Sequence, residues 1–261
     1  MASAAVSSLT ALAERLNAGG PVFSAWCGLA AAAVPALLAR EDFDAVTLDM
    51  QHGAFDYAEV VAAIPLIAAA GKPALVRIPI GDFAMAARLL DAGASAIIAP
   101  MINTVEDARR FAAFTKFPPE GERSWGPHGA IALSGLAPAD YLRNGNTLTL
   151  ALAMIETREA LGALDAILGL TGIDGVFIGP GDLSIALSDG AVLDPMGAAV
   201  DEALDHVLAR CRAAGKRATI YAHSPERAAR LAGKGFDLIA IGGDTAFLRA
   251  GAQAALKTAR S

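Results

Sequence analysis

Leu148-Thr-Leu-Ala-Leu-Ala-Met-Ile-Glu156 and Gly175-Val-Phe-Ile-Gly-Pro-Gly-Asp182 decide how this chain is read, because each is an apolar run that closes on an acid. Continuous apolarity, rather than the alternation of a half-solvated strand, is what a parallel strand covered on both faces requires. These stretches supply strands at Thr149–Ile155 and Val176–Gly179, and six more runs share their character: Val22–Trp26, Ala45–Asp49, Ala74–Ile78, Ala96–Pro100, Thr219–Ala222 and Leu238–Ile241. A segment of helical character follows each. Eight strand–helix units in succession predict an α/β fold, a single (β/α)8 TIM barrel, over a doubly wound sheet. The length of 261 residues suits one such barrel, and no Ser/Pro/Gly-rich linker or charge run divides it, so residues 1–261 read as one domain.

Composition excludes several classes. The net charge is -6 with Lys and Arg scattered, which gives no electrostatic footprint for nucleic acid or anionic lipid and points to small-molecule partners. Cys27 and Cys211 form neither a disulfide framework nor a zinc motif, which fits a reducing, cytoplasmic setting. Met1 to Gly20 lacks the pattern of a secretory leader and reads as a short helix ending at Gly19-Gly20. Leu16 to Ala39 is uncharged over a membrane-span length, but Asn17, Gly19, Gly20, Pro21 and Pro35 break it into turn, strand and helix. Phe117 to Pro138, with its Gly and Pro residues, reads as one long irregular segment of functional or disordered type.

Barrel chemistry gathers at the C-terminal ends of strands. The polar residues closing each run are Asp49 and His52, Arg77, Glu156 and Asp182. Each has an ordinary reading: His52 as a capping histidine, Arg77 as an ion-pair partner of Asp49, Glu156 as an acid before a helix, Asp182 as an N-cap. Together on one rim they point elsewhere. Two carboxylates at buried strand ends repel each other unless a cation lies between them, so Glu156 and Asp182 ask for a divalent metal.

The stretches Phe43-Asp-Ala-Val-Thr-Leu-Asp-Met-Gln-His52, Val76-Arg-Ile-Pro79, Leu89-Leu-Asp-Ala-Gly-Ala94, Pro118-Pro-Glu-Gly-Glu-Arg123, Ile155-Glu-Thr-Arg158 and Gly172-Ile-Asp-Gly-Val-Phe-Ile-Gly-Pro-Gly-Asp-Leu-Ser184 resemble the class II pyruvate aldolases of the HpcH/HpaI family. That family includes 4-hydroxy-2-oxoheptanedioate and 2-dehydro-3-deoxyglucarate aldolases. The match runs in order from about residue 20 to Asp244, and its last motif is the most specific. The resemblance implies Glu156 and Asp182 as ligands of Mg2+, Mn2+ or Co2+, His52 as base, Arg77 as transition-state stabiliser, and Asp91 as the group that raises the basicity of the histidine. It also implies that Gly181 and Asp182 touch the 2-oxo acid, and that the protein is a homo-oligomer, often a hexamer in this family.

The expected reaction is reversible cleavage of a 4-hydroxy-2-oxo acid to pyruvate, or a close 2-oxo acid, and an aldehyde through a metal-stabilised enolate. Of the five lysines, Lys72, Lys216 and Lys234 precede strands while Lys116 and Lys257 end helices, so none is placed to form a Schiff base. Asp91 ends a helix and precedes a strand, on the rim opposite His52, so an Asp91 that orients this histidine comes from a neighbouring subunit, while a locally bonded helix-end aspartate is the alternative. Three positions depart from the family pattern: Met154 replaces a common glutamine, Gln51 a common glutamate, and His128 sits in the long irregular segment, to be solvated or to meet substrate. Two other readings compete. A citrate-lyase-like enzyme acting on acyl-CoA thioesters needs a basic cleft for nucleotide phosphates, and a non-catalytic 2-oxo-acid-binding protein would bind pyruvate without exchanging its methyl protons.

Overall fold

The computed structural model describes residues 7–261. Eight parallel strands, β1 (Val22–Cys27), β2 (Ala45–Asp49), β3 (Ala74–Arg77), β4 (Ala96–Ala99), β5 (Leu150–Ile155), β6 (Gly175–Ile178), β7 (Arg217–Ala222) and β8 (Leu238–Ile241), pair in sequence order. The ring closes where Val22 stands opposite Leu238. The expected eight-stranded barrel is therefore present, with strand ends within two residues of those read from the apolar runs.

The helices are α1 (Ser8–Ala18), α2 (Ala33–Leu38), α3 (Tyr57–Ala69), α4 (Phe83–Ala92), α5 (Val105–Thr115), α6 (His128–Ser134), α7 (Pro138–Leu148), α8 (Arg158–Leu168), α9 (Pro180–Leu187), α10 (Ala198–Ala214), α11 (Pro225–Lys234) and α12 (Asp244–Ala259). Local chemistry fixes their ends. Asp56 and Glu59 form a capping box at the start of α3, and Thr104 and Asp107 do the same for α5, each satisfying backbone N–H groups that the helix leaves unpaired. The expected N-terminal helix is α1, stopped at Gly19, while residues 1–6 of that reading lie outside the described residues. Among the described residues no helix is long and apolar enough to cross a membrane.

One expectation is corrected. Phe117 to Pro138 is not irregular throughout, because His128–Ser134 folds as α6 and Pro138 opens α7. Three small or apolar residues, Ala130, Ile131 and Leu133, give this stretch a packing face despite its glycines, and Ala130 is fully buried. The segment leaves the end of α5 and enters β5, so it lies at the N-terminal rim of the barrel.

Strand periodicity separates two cores. Residues facing outward pack beneath the helices, while the inner face joins Val22, Trp26, Leu75, Ile98, Met154, Phe177 and Ala240 with Leu12 and Leu16 of α1. Those two leucines close the N-terminal end of the barrel. Complete burial of each is worth about 2–3 kcal/mol. Midway up the interior, the Ser24 and Thr47 hydroxyls share a hydrogen bond of 2.7 Å, so these buried polar groups need no solvent.

Candidate active site

A period of two carries the inner face upward from Ser24 to Trp26, Thr47 to Asp49, Leu75 to Arg77, Leu152 through Met154 to Glu156, Phe177 to Gly179, and Thr219 through Tyr221 to His223. The C-terminal mouth of the barrel is therefore built by parity. A cavity of about 230 Å3 opens there, lined by Arg77, Met154, the Gly179–Asp182 turn and the aromatic side chains of Trp26, Phe177, Tyr221 and His223. That is below the ~300–1,000 Å3 usual for drug-sized ligands, and suits small metabolites.

Asp49 and Arg77 form a buried two-pronged ion pair, Nε to Oδ1 at 2.9 Å and Nη2 to Oδ2 at 2.6 Å. Burial pushes the Asp49 carboxyl up, but the Arg77 hydrogen bonds and charge, with backbone N–H groups from Gln51 and His52, outweigh this and hold it below its ordinary value. The pairing fixes Arg77, whose guanidinium also stacks over Trp26 at 4.8 Å. Arg77 thus makes the expected ion pair and lines the cavity as well.

His52 sits in the turn after β2, its backbone N–H donating to Asp49 Oδ1 at 3.3 Å and its ring exposed. Gly53 makes that turn possible: a Cβ there would lie 2.2 Å from the Asp49 carbonyl oxygen and 3.0 Å from the Gly28 Cα. Gly28 in turn accepts from Ala54 N–H at 2.8 Å and donates to Asp244 Oδ2 at 2.9 Å, which ties the histidine turn to the start of α12.

Glu156 follows β5 and is 1% exposed. Its Oε1 accepts from Met101 N–H at 2.8 Å, and Met101 holds a left-handed φ of 55° to deliver that bond, a conformation costing a non-glycine residue about 1 kcal/mol. Its Oε2 is buried with no hydrogen-bond partner. Burial raises the Glu156 carboxyl to about 7, against relief from Met101 N–H, and Asp182 adds to the rise while Arg77 opposes it. Gly179 leaves room for the carboxylate, since a Cβ there would stand 2.5 Å from Oε2. Asp182 lies in the first turn of α9, whose N-cap is Gly179, so Asp182 is not the cap. An orphaned carboxylate oxygen beside a second carboxylate is the donor set of a hard divalent cation. Among the described residues no cluster of three or more His, Cys, Asp or Glu side chains is arranged for a metal.

Asp91 is not brought to this mouth. It ends α4 on the opposite rim, where its Oδ1 accepts from Arg123 Nη2 at 2.6 Å, and exposed His128 opens α6 on the same rim. The long segment between β4 and β5 therefore does not cover the cavity of its own chain. The lysines also stay away from it; Lys116, for example, is buried against Asp174 and the Asn146 and Thr149 carbonyl oxygens. Trp26, Phe177, Tyr221 and His223 are aromatic cavity residues that sequence reasoning left without a role. Strand parity was the signal that could have found them.

The C-terminal mouth of the (β/α)8 barrel thus holds an ion-paired arginine and two carboxylates. The HpcH/HpaI aldolase/citrate lyase family model matches residues 23–250, and the chain belongs to that family. The hydroxypyruvate/pyruvate aldolase of Rhizorhabdus wittichii is 40% identical over 245 residues, covering 94% of this chain and 96% of its own. The 4-hydroxy-2-oxo-heptane-1,7-dioate aldolase of Salmonella dublin is 36% identical over 244 residues, covering 94% and 92%. The crystal structure of an HpcH/HpaI family protein from Burkholderia cenocepacia superposes with a TM-score of 0.86 at 30% identity, covering 97% of this chain and all of the other.

Proposed function

We propose that the chain, as one catalytic domain, reversibly cleaves a 4-hydroxy-2-oxo acid to pyruvate, or a close 2-oxo acid, and an aldehyde. The observation that carries this reading is Glu156, buried with an unpartnered Oε2 beside Asp182 in the same mouth as Arg77. Glu156 and Asp182 would hold a divalent cation, Mg2+, Mn2+ or Co2+, which when bound supplies Lewis-acid polarisation of the keto group. Arg77 uses Nε and Nη2 on Asp49, which leaves Nη1 for the negative charge that develops on the keto oxygen as the C–C bond breaks. His52 takes the proton of the aldol hydroxyl in cleavage, and in the reverse direction removes a proton from the pyruvate methyl. The Gly181 and Asp182 backbone, at the start of α9, borders the 2-oxo acid carboxylate, where unpaired helix N–H groups favour an anion.

Asp91 reaches a histidine only from another copy of the chain, which makes the enzyme a homo-oligomer with a shared site, hexameric by family resemblance. Mixing His52→Ala with Asp91→Ala protein under exchange conditions restores part of the activity if this is so; no recovery rejects the shared site. A cytoplasmic location fits two buried free cysteines. A nucleotide-bearing thioester is disfavoured because, among the described residues lining the cavity, Arg77 is the one permanent cation.

The test is proton NMR of pyruvate in D2O with metal-stripped protein, before and after Mg2+, Mn2+ or Co2+ is added. Metal-dependent loss of the methyl signal, abolished in Glu156→Ala and His52→Ala, is the expected outcome. No exchange with any of the metals rejects pyruvate activation.

A further inference from the structure

We infer that His223, with the Tyr221 hydroxyl, selects the aldehyde, by reading an uncharged oxygen substituent on the carbon next to the carbonyl; short hydroxyaldehydes are the favoured class. This rests on the aldolase reading above and names the residues that would set its second substrate.

A series of ring contacts runs along one wall of the cavity. Phe177 meets Trp26 at 5.8 Å between centroids, Trp26 meets Tyr221 edge-on at 5.4 Å, and Tyr221 meets His223 edge-on at 4.9 Å and 88°. Arg77 stacks on Trp26, so the wall has the 2-oxo-acid end at Arg77 and ends at His223 on the lip. A substrate anchored by its 2-oxo-acid half beside Arg77 and Asp182 therefore extends its other half along aromatic surface towards His223.

Polar side chains lining the cavity are few. Arg77 and Asp182 already serve the 2-oxo acid and the cation, which leaves Tyr221 and His223 to meet the aldehyde. Desolvation of the ring, together with the charge of Arg227, lowers the His223 pKa, so the imidazole is neutral near pH 7 and offers one donor and one acceptor nitrogen. Burial raises the Tyr221 pKa, so its phenol remains a donor. A neutral donor–acceptor pair matches a hydroxyl. A carboxylate tail finds no such match, because Arg227 is itself buried and paired with Asp201.

Glycolaldehyde and propanal test this directly, since they share a skeleton and exchange a hydroxyl for a methyl. With metal-loaded enzyme and pyruvate, the ratio of their kcat/KM values is compared between wild type, His223→Ala, His223→Asn and Tyr221→Phe, so that intrinsic aldehyde reactivity cancels. The ratio is expected to fall about tenfold in His223→Ala, by a smaller factor in Tyr221→Phe, and to be largely kept in His223→Asn, which retains a donor and an acceptor. His223 is exposed, so its replacement leaves the core packing intact. A ratio unmoved in both His223→Ala and Tyr221→Phe, with wild-type enzyme exchanging the pyruvate methyl, overturns this inference alone. Wild-type enzyme that exchanges no methyl protons overturns the aldolase reading and this inference with it.

Discussion

Glu156 and Asp174 are both strand-end carboxylates of one barrel, on opposite rims. Asp174, just before β6, accepts from Ala151 N–H at 2.6 Å and pairs with Lys116 at 2.6 Å, while that lysine, 1% exposed, also donates to the Asn146 and Thr149 carbonyl oxygens. Every strong demand there is met within the chain. Glu156, just after β5, receives one backbone bond, leaves Oε2 bare and faces a second acid. The Asp174 site, whose charges meet within the chain, serves stability. The Glu156 site, an acid left bare beside a second acid, is suited to take in a cation.

That contrast can be broken by exchanging which property each site controls. The largest effect is on catalysis: Glu156→Ala should lower metal-dependent methyl exchange by at least about a thousandfold while the protein stays folded, as read by NMR and circular dichroism. Lys116→Met should do the reverse, costing about 3–5 kcal/mol in urea unfolding because Asp174 loses its buried partner, with no direct loss of the exchange chemistry.

The pH dependence of stability follows from the raised Glu156 pKa. A carboxyl near 7 in the folded, metal-free chain and 4.5 when unfolded binds its proton more firmly in the folded state, so stability falls as pH rises from 4.5 to 7 and then levels. Glu156→Gln lacks this loss. It should exceed metal-free wild type by up to about 3 kcal/mol at pH 8, the difference closing towards pH 4.5, as measured by denaturant midpoints across pH. Smallest is Gly179→Ala. Its Cβ would push the Glu156 carboxylate, 2.5 Å away, out of position, so metal affinity measured by titration calorimetry should weaken about tenfold with the fold retained.

Much of the barrel was legible because burial on both faces forces continuous apolar runs, and Ala45–Asp49 and Leu238–Ile241 fall where those runs predict. Phe117 to Pro138 was misread where packing overrode its turn residues and made α6. Of the residues proposed for the site, Glu156, Asp182, Arg77 and His52 were visible as polar residues at strand ends, and Arg77 and Asp182 line the cavity. Trp26 and Tyr221 were not, since an aromatic residue in an apolar run looks the same whether it fills a core or lines a cavity, while His223 could be placed just past the seventh strand, at the rim, but given no role.

The sequence by itself determined the number and order of strands, the rim to which each polar residue belongs, and the absence of a lysine at the catalytic mouth. These follow from chain direction and the period of two, which are local rules. Only the tertiary structure decided that Arg77 is pinned by Asp49, that Met101 occupies one Glu156 oxygen and leaves the other bare, and that Asp91 pairs with Arg123 on the far rim. Those outcomes depend on register between neighbouring strands and on helix and loop packing, which set residues 28, 55 and 32 positions apart in sequence within hydrogen-bond reach and withdraw the water that would otherwise satisfy them.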